Sequence, residues 1–413
     1  VASRTSSYSF KGKNSNAQEI GKALNVAGIV EGTVRRAGDR LRVSAQLTNA
    51  NTGLVVWSDG FERAASNVFE VQDDLTAAIV GALSTRLSSS SHHTLASETR
   101  GTNDREAYDL YLRGRFNWNK RTEASISEAI EDLKAAVARD PKFALAHAAL
   151  ASAHAIFPEY SKSVNRDTER RLGMEAANRA LALDPALAEP HAVLGFIHTT
   201  TWNWPESEVE FRKAIQADST YATAYQWYAF LLQATNRMDE AMRLTKMAHN
   251  LDPLSKVIND NLCARAGTIK DFALGEKPCR DALPLLDGVA IYTMQQGKWA
   301  EAADLWNRFG EAYSAQGFSA YCLVRAGRVN EARANLQRFI TRNEPMNAAF
   351  TYIALNEKDS AFLWLNRAID ARETALRTMA PLLLSPMYDS VRGDPRFERL
   401  IDRMGLRRYV RGE

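Results

Sequence analysis

Cysteine is scarce in this chain: Cys263, Cys279 and Cys322 are the three among 413 residues, an odd count with no Cys-x-x-Cys spacing. That argues against a disulfide framework and against a thiolate zinc site. A reducing compartment fits, and a cysteine-poor periplasmic protein would look the same. No run reaches the ~18 apolar residues that a membrane span requires, and no signal-peptide pattern follows Val1, so the stretch reads as soluble, with no membrane insertion of its own. Charge excess is missing as well: 52 basic against 49 acidic side chains leave a net +3, and nothing in that balance favours nucleic acid or another polyanion. Gly-x-Ser-x-Gly, His-Glu-x-x-His, Gly-x-x-x-x-Gly-Lys-Ser/Thr and Gly-x-Gly-x-x-Gly do not occur, so catalysis has no visible owner. The expectation is a protein that is not an enzyme and holds neither cofactor nor metal.

What the sequence does hold is a period. Asp184-Pro185, Asp218-Ser219 and Asp252-Pro253 stand 34 residues apart, and Asp140-Pro141 lies 44 before the first of them. Each pair closes a stretch that reads as two short amphipathic helices, since proline cannot donate to a helix interior and pushes its predecessor out of the helical basin. The residues in excess of the period fall in Phe157 to Arg171, read as a polar turn. Small residues recur where two helices must approach: Ala129 and Ala136, Ala177 and Ala180, Ala214, Ala241 and Ala248. Leu133, Phe211 and Leu244 fill the space between, and Leu150-Ala151 and Leu194-Gly195 repeat a large-then-small pairing. A helical hairpin of this period resembles the tetratricopeptide repeat (TPR) family, closely from Asp104 to Pro253.

Beyond Pro253 the period loosens. Gly297 to Ala302 and Gly327 to Ala332 still mark turns between paired helices, and a degenerate last hairpin, Ala349 to Ala371, sets Tyr352 and Leu355 against Phe362, Leu365 and Ala368. Residues 254–287 are the weakest stretch, with Pro278 and Pro284 interrupting any long helix. Asp394-Pro395-Arg396-Phe397 through Met404-Gly405-Leu406 resembles the closing helix of such arrays.

The first hundred residues have another rhythm. Val30, Gly32 and Val34, then Leu41, Val43, Ala45 and Leu47, alternate with polar neighbours, and Val56 and Trp57 open a third run. With Gly38-Asp39 and Asn51-Thr52-Gly53 between them, they predict an antiparallel meander with one buried face. Asn16 with Glu19, and Asn67 with Glu70, are spaced as capping boxes for a helix on either side, and Asn103 with Glu106 for the first repeat helix. Arg4 to Ser7, Phe10 to Lys13, Val30-Glu31-Gly32 and Trp57-Ser58 resemble the TolB-like domain that precedes TPR arrays in bacterial regulatory proteins. The resemblance implies a chain starting inside that domain, with an output domain (winged helix, kinase or adenylyl cyclase) upstream of Val1.

Several clusters read as structural. His147 and His154, like His191 and His198, are seven residues apart, about 10.5 Å along a helix, too far for one metal, and read as satisfied interior histidines. Arg35, Arg36, Arg40 and Arg42 read as a wet hairpin tip, and Arg403, Arg407, Arg408 and Arg411 as a polar end cap. Asp73-Asp74 are adjacent on a helix, do not face each other and solvate it.

These readings combine into a mainly α chain: a TPR α-solenoid preceded by a small α+β domain with an antiparallel three-stranded sheet. The expected boundaries are 1–87 for the TolB-like domain, 88–103 for a linker, 104–253 for four hairpins and 254–413 for degenerate hairpins and capping helices. In TPR proteins the leading helices line a concave face. Laying the repeat over this chain puts Tyr108, Tyr111, Arg115, Trp118, Phe196, Thr199, Gln226, Phe230 and Gln233 there. Lys and Asn, which would clamp a terminal carboxylate, are mostly absent, so an aromatic-anchored peptide or protein segment is the expected partner. The functional expectation is a non-catalytic interaction and sensing module of a regulatory protein, on the cytoplasmic or periplasmic side of a membrane-anchored parent. The alternative is an assembly or envelope-associated scaffold that oligomerises through the front domain.

Overall fold

The three runs pair as an antiparallel meander, but the buried face expected along all of them is buried only in the middle run, while Val30 and Val34 of the first stand exposed. The computed structural model describes residues 4–64, 68–84, 101–161, 163–285, 287–308, 316–371 and 386–411. After α1 (Arg4–Tyr8) and α2 (Ala17–Leu24) come β1 (Gly28–Ala37), β2 (Arg40–Asn49) and β3 (Val55–Ala64), an antiparallel sheet in the order β1-β2-β3. The register sets Val34, Val43 and Phe61 in one row and Val30, Leu47 and Trp57 in another. Gly38 (φ 60°) and Gly53 (φ 73°) supply the left-handed conformation of the two turns. Asn16 and Glu19 form the expected capping box on α2. This helix and α3 (Val68–Ser84) pack on the sheet, burying Leu24, Val43, Ala45, Leu47 and Val71. The proposed cap Asn67, the side chain of Asp73 and the linker over 88–100 lie outside the described residues.

The array follows as α4 (Arg105–Lys120), α5 (Glu123–Arg139), α6 (Ala144–Tyr160), α7 (Arg166–Leu183), α8 (Ala188–Thr200), α9 (Trp204–Ala217), α10 (Ala222–Ala234) and α11 (Met238–Leu251). Consecutive pairs form hairpins, and each hairpin packs on the next. Asp140, Asp184, Asp218 and Asp252 are the C-caps of the four trailing helices, their N–H groups donating to the carbonyls of Ala136, Ala180, Ala214 and Ala248. Those four alanines are fully buried. The same spacing therefore ends each helix and sets its point of closest approach. On the leading helices a Cβ at Gly195 would lie 2.9 Å from the Phe211 ring, and one at Gly114 2.6 Å from Leu133. The large-against-small pairing is thus steric.

Two local expectations are corrected. Asp104, not Asn103, caps α4: its carboxylate accepts from the Ala107 N–H at 3.0 Å and from Arg139 Nε at 2.7 Å. The surplus residues do not make a long polar turn either. They lengthen two helices, α6 and α7 running 17 and 18 residues where α8 and α9 have 13 and 14. Pro158 rides inside the end of α6, where few backbone bonds remain to be lost.

The second half continues as α12 (Lys256–Thr268), α13 (Phe272–Ala282), α14 (Asp287–Gln295), α15 (Trp299–Arg308), α16 (Gln316–Arg325), α17 (Val329–Thr341), α18 (Pro345–Ala354) and α19 (Lys358–Asp370). A 3-10 turn (Pro386–Tyr388), α20 (Asp389–Arg392), α21 (Pro395–Arg403) and α22 (Arg407–Arg411) close it. Gly297 and Gly327, at φ 77° and 80°, make the turns read from the sequence. The stretch expected to be weakest is instead a regular hairpin, α12 with α13, in which Pro278 is accommodated inside α13. Cys263 and Cys279 are disulfide-bonded across it, Cα atoms 4.8 Å apart, correcting the expectation of no disulfide. The antiparallel return of α13 brings together two cysteines whose spacing carries no motif. Cys322 is free and buried, its thiol pushed up to about 12 by burial.

Two contacts join distant parts. Trp204 Nε1 donates to the Met404 carbonyl at 2.7 Å, 200 residues away, seating the closing helices on the third hairpin. Ser6 is buried, donates to Asp252 and accepts from the Leu254 N–H at 3.0 Å, fastening α1 to the turn after the fourth.

Candidate binding groove

One open cleft collects side chains from successive leading helices. It is lined by Ile156, Glu159 and Tyr160 of α6, Phe196 of α8, Gln226, Trp227 and Phe230 of α10 and Val257 of α12, with Arg121 at its rim just past α4. The cleft is shallow and open, with about 420 Å³ of empty space when the solvent at its mouth is counted. Residues so far apart in sequence meet because the repeat turns the same face of each leading helix to one side. Phe196 and Trp227 rings lie 4.7 Å apart and tilted. Gln226 Nε2 donates to Asn261 Oδ1 at 3.0 Å, which fixes its amide.

Of the nine residues singled out by sequence, the structure brings Phe196, Gln226 and Phe230 together in this cleft. Trp118 lies beside it, buried, with the Arg121 and Arg115 guanidiniums 3.5 and 5.4 Å from its ring. Its indole N–H has no acceptor among the described residues. Arg115 pairs with Glu189, which also accepts from Ser152 Oγ at 2.7 Å, so α4, α6 and α8 are stapled along one face. Desolvation works against the Arg115 charge, but Glu189 together with Tyr111 and Tyr221 outweighs it and raises the guanidinium's pKa. Tyr108 and Tyr111 pack elsewhere, the Tyr111 ring 5.1 Å from Phe143. Thr199 turns into its own hairpin, donating to the Gly195 carbonyl at 2.9 Å with Ser207 Oγ at 2.7 Å. Gln233 is half-buried further along α10. Arg121, Ile156, Glu159, Tyr160, Trp227 and Val257 escaped the sequence reading. The lengthened end of α6 carries Glu159 and Tyr160 into the cleft, and a repeat overlay places no groove residue past the standard helix end.

The remaining clusters have local partners. His154 and His191 each place Nδ1 2.6 Å from a carboxylate, Glu169 and Glu210, on the following trailing helix. His147 contacts the Pro141 carbonyl at 3.1 Å, and His198 lies 3.4 Å from Asn203 Nδ2. Arg40 and Arg42 share Glu62 at 3.1 and 3.9 Å, Asp74 pairs with Arg63 at 2.7 Å, Arg403 pairs with Asp370 at 2.5 Å, and Arg407 pairs with Asp402.

Burial lowers the pKa of His147, His154 and His249 below the ordinary imidazole value, in His154 despite Glu169. The folded chain therefore refuses protons that the unfolded chain accepts once pH drops through ~6.5. Stability is expected to fall between pH 7 and pH 5.5, above the range where the lowered carboxylates Glu208, Glu210 and Glu240 begin to titrate. Thermal midpoints at pH 7.5 and 5.5 check this, and a midpoint that rises on acidification contradicts it.

No protein-family model matches the chain. A stretch of 150 residues is 37% identical to a Rhizobium meliloti (strain 1021) protein named "Putative adenylate cyclase 3", covering 36% of this chain and 25% of that one. The match thus spans a quarter of that relative's length. Among solved structures, pilF of Pseudomonas aeruginosa is 18% identical, with 58% of this chain and 96% of that one covered and a TM-score of 0.36. Yeast Tom70 is 15% identical over 82% of this chain and 76% of its own, TM-score 0.38. Cut9–Hcn1 of the APC/C is 12% identical over 82% and 72%, TM-score 0.40. At such scores these likenesses add nothing to the hairpins and sheet already seen. No described helix is long and apolar enough to cross a membrane. The chain is a mainly α solenoid of helical hairpins preceded by a small α+β portion with a three-stranded antiparallel sheet.

Proposed function

We propose that the chain is a non-catalytic interaction and sensing module that binds a peptide or protein segment in the concave groove. The observation that carries this reading is the convergence of leading-helix side chains from successive hairpins on a single open cleft. Its half-buried Phe230 and its aromatic wall offer anchors of the kind that dominate interface energies, and Arg121 and Glu159 give the rim polar contacts. The likeness to part of a cyclase-named protein supports placing the module in a longer signalling chain, with the catalytic step carried elsewhere. The boundaries 1–87, 88–103, 104–253 and 254–413 belong to the same proposal, as does the TolB-like character of the front portion.

Peptides selected from a phage-displayed random dodecamer pool on the immobilised protein test the groove. Phe230→Ala is expected to weaken the selected peptides by about tenfold or more while leaving far-UV circular dichroism unchanged. Unaltered affinity would remove the cleft from the proposal.

An assembly scaffold is the second reading, and it has its own observation. β1 is an edge strand, and Val30 and Val34 are 45% and 68% exposed beyond the cover of the helices, a surface that invites strand pairing. Light scattering on the wild type and on Val34→Lys separates the readings: an oligomer that the substitution dissolves favours the scaffold.

A further inference from the structure

Arg265 is 2% exposed and among the largest side chains fully buried in the molecule. Its Nε and Nη2 are shut off from solvent and have no acceptor among the described residues. The guanidinium carbon lies 4.8 Å from the centre of the Phe230 ring. Other arginines of the array drawn from water behave differently: half-buried Arg115 meets Glu189, and buried Arg170 meets Asp167 at 3.3 Å. Burial, with no charge opposing it, brings the Arg265 guanidinium down to about 9, so it still carries its proton at neutral pH. An unpaired buried cation is costly to a fold, and arginine does not relieve the cost by deprotonating near neutrality.

Its position makes the cost intelligible. Val257, Asn261 and Arg265 follow one another at four-residue spacing on α12, hence along one stripe of that helix. Val257 lines the cleft, Asn261 holds Gln226 of the cleft wall, and Arg265 lies against Phe230, one turn past Gln226 on α10. The guanidinium is thus the next step along the seam between α10 and α12, behind an aromatic ring at the cleft's edge. Leading helices continue on both sides of this point, α4 to α8 before it and α14 to α18 after it. A bound chain would pass through here rather than end.

We infer that Arg265 is the receptor for the carboxylate of an Asp or Glu side chain within the bound peptide, adjacent to an apolar residue seated in the Phe196–Phe230 cleft. This rests on the groove reading proposed above. Phe230 turns aside to admit the carboxylate, and the pair then forms out of water, where a planar guanidinium meets a carboxylate through two parallel hydrogen bonds. The partner segment is therefore acidic and apolar together, not merely aromatic.

The test uses the full chain and the phage-selected dodecamers. Each winning peptide is synthesised with its acidic residues intact, with each changed to the amide, and with the C-terminal carboxylate amidated, and is titrated by fluorescence polarisation. On the wild type, one internal acid-to-amide change is expected to weaken binding at least tenfold. Arg265→Met is expected to weaken the acidic peptide by the same factor and to abolish the difference between acid and amide, while its thermal midpoint stays level or rises, since an unpaired buried charge has been removed. Arg265→Lys, which keeps the charge, is expected to restore part of the discrimination. Equal acid and amide affinities on the wild type, an acid preference that survives in Arg265→Met, or sensitivity to the C-terminal amide instead overturns the assignment. A large drop in the Arg265→Met midpoint also overturns it, by showing that the guanidinium serves the fold. If Phe230→Ala abolishes peptide capture while Arg265→Met keeps its acid preference, only the carboxylate assignment fails; if Phe230→Ala binds normally, the groove itself fails.

Discussion

Phe211→Ala is expected to destabilise the third hairpin by about 3–5 kcal/mol, the range for emptying a fully buried aromatic site. Phe211 has no exposed surface, stacks on Tyr228 at 5.4 Å between ring centres, and fills the space that Gly195 leaves open. Three elements meet on that ring: α9, which carries it, α8, which lacks a Cβ opposite it, and α10 of the next hairpin. Neither backbone can collapse far, because the helices are already spaced by their alanines, so a cavity remains. A solenoid's stability is approximately a sum of repeat and interface terms, so the loss should appear in the hairpins flanking Phe211 first. Urea denaturation read together with amide exchange over α8 to α10 measures both size and place. A change under ~1 kcal/mol would show that the site repacks and that nesting at Gly195 is not what holds the third hairpin.

Trp204→Ala carries the second large effect, of similar size, and it differs in reach. The side chain is buried, and its indole nitrogen donates to the Met404 carbonyl; next to it, a Cβ added at Gly405 would lie 3.7 Å from the same ring nitrogen. Removing the indole costs about 3–5 kcal/mol in packing and, beyond that, frees the closing helices from the third hairpin. Increased amide exchange in α21 and α22 and a larger radius of gyration in small-angle scattering are expected. Trp204→Phe keeps most of the apolar surface and loses the hydrogen bond, so about 1 kcal/mol is expected from it. If α21 and α22 stay protected in Trp204→Ala, the contacts of α21 with α19 hold them and the closure is incidental.

How far the sequence could be read differs from element to element. The aspartate C-caps, the buried alanines and the glycine turns were legible because each depends on a local rule: a helix ends where its backbone bonds stop, and two helices approach where a side chain is small. The front sheet's strands and the buried face of β2 were legible for the same reason, while the exposure of Val30 and Val34 on β1 depends on where the two helices lie. The cap of α4 was misplaced by one residue because Asn103 and Asp104 are both competent, and the ion pair of Asp104 with Arg139, remote in sequence, decides between them. The α12–α13 hairpin was underestimated because Pro278 looks like a breaker until a short helix packed on its neighbours absorbs one lost bond. In the groove, Phe196, Gln226 and Phe230 followed from repeat phase, while Glu159 and Tyr160 depend on α6 running past its usual end.

By itself the sequence determined that this is an array of helical hairpins behind a small sheet, since period, capping and alternation are local and act wherever the chain goes. Tertiary structure alone decided the rest: the pairing of Cys263 with Cys279, the seating of Met404 on Trp204, the fastening of Ser6 to the fourth turn, and the burial of Arg265 without a counter-charge. These depend on the small rotation between successive hairpins, which accumulates along the array and brings together residues that no spacing rule connects.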